Sequence, residues 1–233
     1  MAGLENSQRG TTTLANESAE LRQARDLYIV GGKESDRKAM EILLRVFEAS
    51  KDSSERVPLE KIDSLPQLVH LLITQGEREK AGQWAATLWN SIKEKEQWLK
   101  RETLQDCYVW ASKGLAFAGR LKEALKVEER CVAHVAPRAE RPGRAVTQSL
   151  FRAAIYHCQQ GEMTRGLIKA TQASDIGCRF LQGSHEDAQM LFELLLFVKH
   201  LQEKAGAPQR EIQRTRHRLT ATTLLLSKTS TSS

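Results

Sequence analysis

The chain has 233 residues, of which 40% are hydrophobic and 27% charged, and 35 Lys and Arg outweigh 29 Asp and Glu to leave a net charge of +6. That length holds one or two domains with a real core, and that composition excludes wholesale disorder. The basic excess is small enough to suit either an acidic partner or a merely solvated surface.

Residues 1 to 16 are polar and irregular and read as a tail, as do residues 227 to 233. The start, MAGLENSQRG, has no apolar core of a signal peptide and no glycine directly after the methionine. The longest greasy run, Leu191 to Val198, is interrupted by Glu193 and falls well short of the ~20 residues a bilayer needs. The expected compartment is the cytoplasm, or the nucleus. Cys107, Cys131, Cys158 and Cys178 form no C-x-x-C pair and read as small buried hydrophobes.

Between the tails, residues 17 to 226 read as one helical domain. Gly31, Gly76, Gly119, Gly161 and Gly206 punctuate it at separations of 45, 43, 42 and 45 residues. A near-constant period of that size marks a stacked array. A second, longer break divides each period, so each holds two helices. The first helices are expected near 18–30, 64–75, 103–118, 146–160 and 185–205, and the second near 34–50, 77–93, 120–134, 162–176 and 209–226. Apolar residues on α-helical spacing that widen beyond one face, as in Leu191 to Leu201, require neighbours on two sides.

Small residues recur at fixed offsets from the glycines. Five positions after stand Ala81, Ala124 and Gly166, and seven before stand Val69, Ser112 and Ala154. Twelve after stand Leu88, Cys131 and Ala173. Close approach of paired helices requires small side chains at such crossings.

This constellation, and "GRLKEAL" at 119 to 125 above all, resembles the tetratricopeptide repeat, over about residues 64 to 176. The period exceeds the usual ~34 residues and is similar to the extended form of kinesin light chains and related adaptor and sensor proteins, where a His-containing loop such as GSHEDA, residues 183 to 188, opens the next first helix. In the last copy Lys199 and Glu211 occupy two of the small-residue slots. HEAT-like repeats share the period and lack the glycine-to-alanine signature. The resemblance implies an all-α, right-handed superhelical solenoid of about five antiparallel helix pairs, about ten helices, whose first helices line a concave face.

In that register, residues nine and six before each glycine face the groove. They are Arg22, Gln67, Trp110, Arg152 and Phe197, and Arg25, His70, Lys113, Ile155 and His200. Cations and aromatics without a carboxylate suit an acidic peptide or protein segment with an apolar anchor. Lys113→Glu and Arg152→Glu are then expected to weaken binding and leave folding unchanged. The asparagine-and-lysine clamp of chaperone-tail-binding members is not reproduced.

No P-loop, dinucleotide fingerprint, H-E-x-x-H or nucleophile elbow is present. No catalytic, metal or cofactor site is therefore expected. His185-Glu186-Asp187 reads as a helix N-terminus, and His157, Cys158, Trp84 and Trp89 as core. The segment QREIQRTRHRL at 209 to 219 is a basic capping helix, with nucleic-acid phosphate as a less favoured partner. The functional expectation is a non-enzymatic interaction scaffold or adaptor. The alternative is the sensor domain of a transcriptional or signalling regulator, holding a peptide or small ligand.

Overall fold

A computed structural model of the protein describes residues 18–51, 57–135, 142–181 and 184–230. The regular elements among them are helical. The longer ones are α1 (Ala19–Val30), α2 (Lys33–Lys51), α3 (Leu65–Thr74), α4 (Arg78–Lys95), α5 (Arg101–Phe117), α6 (Leu121–Arg130), α7 (Pro142–Gln159), α8 (Met163–Phe180), α9 (His185–Lys204) and α10 (Gln209–Ser230). A single turn, Leu59–Ile62, precedes α3, a 3-10 turn follows α4, and a π-helical segment, Cys131–Val135, ends α6. The expected N-terminal tail, residues 1–16, lies outside the described residues, while α10 runs on to Ser230. No described helix is long and apolar enough to cross a membrane.

All five periodic glycines sit at positive φ, between 64° and 82°, each just past the end of a first helix. At Gly119 the mechanism is plain. Its N–H donates to the Ala116 carbonyl while the Arg120 N–H reaches back to the Leu115 carbonyl, which closes α5 with the paired bonds of a Schellman motif. A left-handed residue is required there, and glycine adopts it without a Cβ penalty.

The chain divides into two compact units, residues 1–120 and 121–233. In the first, α1 pairs with α2, α3 with α4, and α5 lies against both α3 and α4. Val69, Ala81, Leu88 and Ser112 fill the small-residue and crossing slots with no exposure at all. Crowding is greatest at Gly114, where an added Cβ would stand 2.6 Å from the Ala85 Cβ and 2.7 Å from Val69 Cγ1. Trp84 is buried against Phe47, ring centroids 5.6 Å apart, as expected for a core residue. Trp89 is only half-buried and meets the edge of Tyr108. Helix ends are tied across hairpins as well: Arg78 Nε donates to the Phe117 carbonyl at 2.6 Å, and Arg120 Nη1 to that of Gly82 at 3.3 Å.

In the second unit, α7 packs on α6 and α8, α8 on α9, and α9 on α10. Leu150, Ala154, Ala170, Ala173, Leu194 and Val198 form one core cluster across three helices. Gly166 permits the α7–α8 crossing, since a Cβ there would lie 2.4 Å from Cys158 Sγ. In the last hairpin, Lys199 is partly exposed and paired with Glu203, and Glu211 is exposed. Their core roles pass to the neighbouring Val198 and Ile212. A buried hydrogen bond from Thr215 to Gln202, 2.9 Å, joins α10 to α9. The shift of one residue on each helix keeps the hairpin closed without small residues in the usual slots.

Candidate functional site

The first-helix residues of the first unit form a connected row. Tyr28 on α1 and His70 on α3 are 2.7 Å apart, phenol oxygen to Nδ1, with their rings edge to face. His70 in turn stacks on Trp110 of α5, centroids 4.3 Å apart and planes inclined by 33°. One turn further along α5, Lys113 places Nζ 4.6 Å from the centre of the Trp110 ring, within cation–π range. Three consecutive first helices thus contribute to one line of side chains. Their placement follows from the repeat: His70 and Lys113 are both six before a turn glycine and Trp110 is nine before. Tyr28 stands one turn beyond Arg25 on the same face of α1.

The row is electrostatically mixed. Burial, then Lys113, lowers the His70 titration below the ordinary histidine value, with Asp36 acting in the opposite direction. Burial, then Asp36 and Asp106, raises that of Tyr28. Asp106 is itself raised by burial. The sequence expectation of a wall without carboxylates therefore omitted two acids that stand off the nine-and-six register, one on α2 and one on α5. Gln67, one turn before His70, is half-buried, and its Oε1 has no hydrogen-bond partner among the described residues. Arg25 is half-buried, and Arg22 is exposed beside a surface hollow with Gln23, Asp26 and Val30.

The second unit is arranged differently. Arg152 is engaged by Glu128, with Nε 2.5 Å from Oε1 and Nη2 3.0 Å from Oε2. The Glu128 side chain is 1% exposed and also accepts from Ser149 Oγ at 2.5 Å. Burial alone would lower the Arg152 titration, but the adjacent Glu128 charge and its hydrogen bonds hold the guanidinium protonated and raise it instead. Arg152 is thus committed inside the unit. Phe197 and Phe151 meet with centroids 5.5 Å apart and pack on the core cluster. Ile155 is half-buried and His200 exposed. Glu128 was readable in the sequence: it lies four after Ala124 and three before Cys131, both core slots, and a carboxylate on that stripe demands a cation.

Several other chemistry-bearing groups have structural partners. His157 is buried, and its Nδ1 lies 2.7 Å from Glu162 Oε2, which holds Glu162 below the usual carboxylate range. At the α9 N-terminus, Ser184 accepts from the Asp187 N–H, and Arg144 pairs with Glu186 and Asp187. The four cysteines are thiols; Cys107 and Cys131 are buried, and Cys158 and Cys178 half-buried. On α10, Arg218 binds Asp175 at 2.7 Å and Arg216 faces Glu203 at 3.5 Å. No cluster of potential metal ligands occurs among the described residues.

No protein-family model matches the sequence, and no curated protein matches it. Among solved structures, the putative kinesin light chain nearly identical TPR-like repeats of Podosopora anserina superimpose with a TM-score of 0.63 at 15% identity, over 88% of this chain and 92% of that one in a crystal structure of a substituted form. A second crystal structure of those repeats gives the same score and identity, over 88% and 93%. BtubC (BKLC) from P. vanneervenii aligns at 14% identity over 92% of this chain and 88% of its own, with a TM-score of 0.43. The paired helices, the glycine-closed turns and the small-residue crossings agree with the two better superpositions: this chain is a TPR-like helical-repeat protein in its fold.

Proposed function

We propose that the protein is a non-enzymatic scaffold that holds a segment of a partner protein against its first-helix faces. The observation that carries this reading is the Tyr28, His70, Trp110 and Lys113 row, in which three successive first helices align an exposed cation with flat aromatic surface. Ring faces supply contact area at small entropic cost, and the ammonium supplies a carboxylate contact. The matching segment carries an acid opposite Lys113 and an apolar anchor on the rings, with hydrogen-bond donors turned toward Asp36 and Asp106. In the second unit, Phe151, Ile155 and Phe197 favour apolar side chains, with His200 at the edge.

Four cysteines held as thiols suit a reducing compartment, the cytoplasm or nucleus. Two of the α10 arginines face carboxylates, which disfavours phosphate binding by that helix.

The test uses a fluorescein-labelled peptide of aspartate pairs spaced by leucine. Its anisotropy should rise with protein, and Trp110→Ala should weaken binding by roughly tenfold or more, about 1.4 kcal/mol. An unbound peptide, or one indifferent to Trp110, contradicts the proposal.

A further inference from the structure

The row in the first unit holds a titratable ring at its centre, clamped between a phenol and an indole contributed by different hairpins. We infer that His70 is a proton-operated element of this face: protonation reverses its hydrogen bond with Tyr28 and sets a second cation against Trp110, beside Lys113. Only the effect on affinity rests on the peptide-binding reading; the change within the row stands on geometry alone.

The phenol oxygen of Tyr28 lies 2.7 Å from Nδ1. With the phenol donating to Nδ1, the neutral ring carries its proton on Nε2. A protonated ring has two N–H groups and no acceptor, so Nδ1 becomes the donor, the phenol oxygen accepts, and the phenol proton must turn elsewhere. The same proton converts the stack on Trp110, 4.3 Å between centroids, into a cation–π contact. That indole already faces Lys113 Nζ at 4.6 Å. One proton therefore changes hydrogen-bond polarity toward α1 and charge toward α5 together.

The surrounding charges set the direction. Burial and Lys113 oppose the protonated form, and Asp36 favours it. Tyr28 is held neutral by burial, Asp36 and Asp106, and so remains a hydrogen-bonding phenol throughout. The switch consequently operates on the acid side of an ordinary histidine, where the surface gains positive charge and an acidic segment is held more tightly.

The test follows the histidine ring carbon–proton signals of the intact protein by NMR from pH 8 to 4, with His70→Gln to assign the resonance. In parallel, the share of tryptophan emission lost in Trp110→Phe is followed over the same range. His70 should titrate below the ordinary histidine value. Lys113→Ala should move its midpoint up, Asp36→Asn should move it down, and the Trp110 emission should change at the same midpoint. A midpoint indifferent to both substitutions, or a Trp110 signal that ignores it, overturns the inference. Affinity for the aspartate–leucine peptide, measured between pH 8 and 5, should rise on acidification in the wild type and not in His70→Gln. If the ring titrates as described and the peptide affinity does not follow, the peptide-binding reading fails and the proton-operated row stands.

Discussion

Lys113 in the first unit and Arg152 in the second are both cations on first helices, six and nine residues before a turn glycine, yet they occupy opposite environments. Lys113 is exposed and lies over an indole ring. Arg152 is 15% exposed and held in two bonds by a carboxylate that is itself almost wholly buried. The difference originates on the second helices. In α6 a glutamate interrupts the buried stripe, and a carboxylate taken out of water requires a paired cation. A cation on a first helix is thus committed within the fold where the neighbouring second helix carries a buried carboxylate.

Breaking the buried pair should have the largest effect. Arg152→Met leaves Glu128 buried without its cation, and denaturant unfolding should show a loss of about 3–5 kcal/mol. Adding Glu128→Gln should recover much of it. This revises the expectation that Arg152→Glu leaves folding intact, since that change would place two carboxylates together in the unit. If Arg152→Met unfolds like the wild type, the contrast between the two cations collapses.

Next come two Gly→Ala changes that act by different mechanisms. Gly114→Ala drives a Cβ into Ala85 and Val69, with the Ala81 carbonyl 3.2 Å away on backbone that cannot rotate aside. Overpacking of that kind should cost about 1–3 kcal/mol. At Gly119 nothing lies within 4 Å of the added carbon, but φ is 82°, so only backbone strain remains, about 1 kcal/mol. Thermal melts of the two variants should rank in that order. A reversed order would show that the hairpin crossings have room that the geometry denies them.

The smallest effect is the pH dependence of stability in the first unit. His70 has a lowered folded-state value, while the unfolded chain titrates near ~6.5. As the pH falls, the unfolded chain takes up its proton first. The His70 contribution is thus complete above the ordinary value and is lost as the pH falls to the folded-state value. Wild type should lose more stability than His70→Gln between pH 7 and pH 5, and equal losses would contradict this.

Much of the fold was legible because its determinants are local and periodic. Glycines that close helices recur every 42 to 45 residues, and small residues at fixed offsets mark where helices cross, as Ala81, Ala124 and Gly166 do. The last hairpin was harder, since Val198 and Ile212 replace the expected slots one residue away. The candidate site was legible only in part. The register pointed to His70, Trp110 and Lys113, which the first unit joins. It passed over Tyr28, Asp36 and Asp106, which reach the same row from outside the register, because side-chain reach and helix rotation are properties of the packed array. Arg152 was misjudged because its partner lies 24 residues upstream on another helix, and a list of first-helix positions does not include it.

The central claim, that the two cations differ in kind, is tested most directly by treating Lys113→Glu and Arg152→Met side by side, with denaturant unfolding and titration of the fluorescent aspartate–leucine peptide on the same preparations. Lys113→Glu should lose about 1 kcal/mol or less, the scale of an exposed cation–π contact, and bind the peptide roughly tenfold or more weakly, whereas Arg152→Met should be strongly destabilised. A Lys113→Glu protein destabilised beyond that, or one that binds the peptide as the wild type does, would contradict the account.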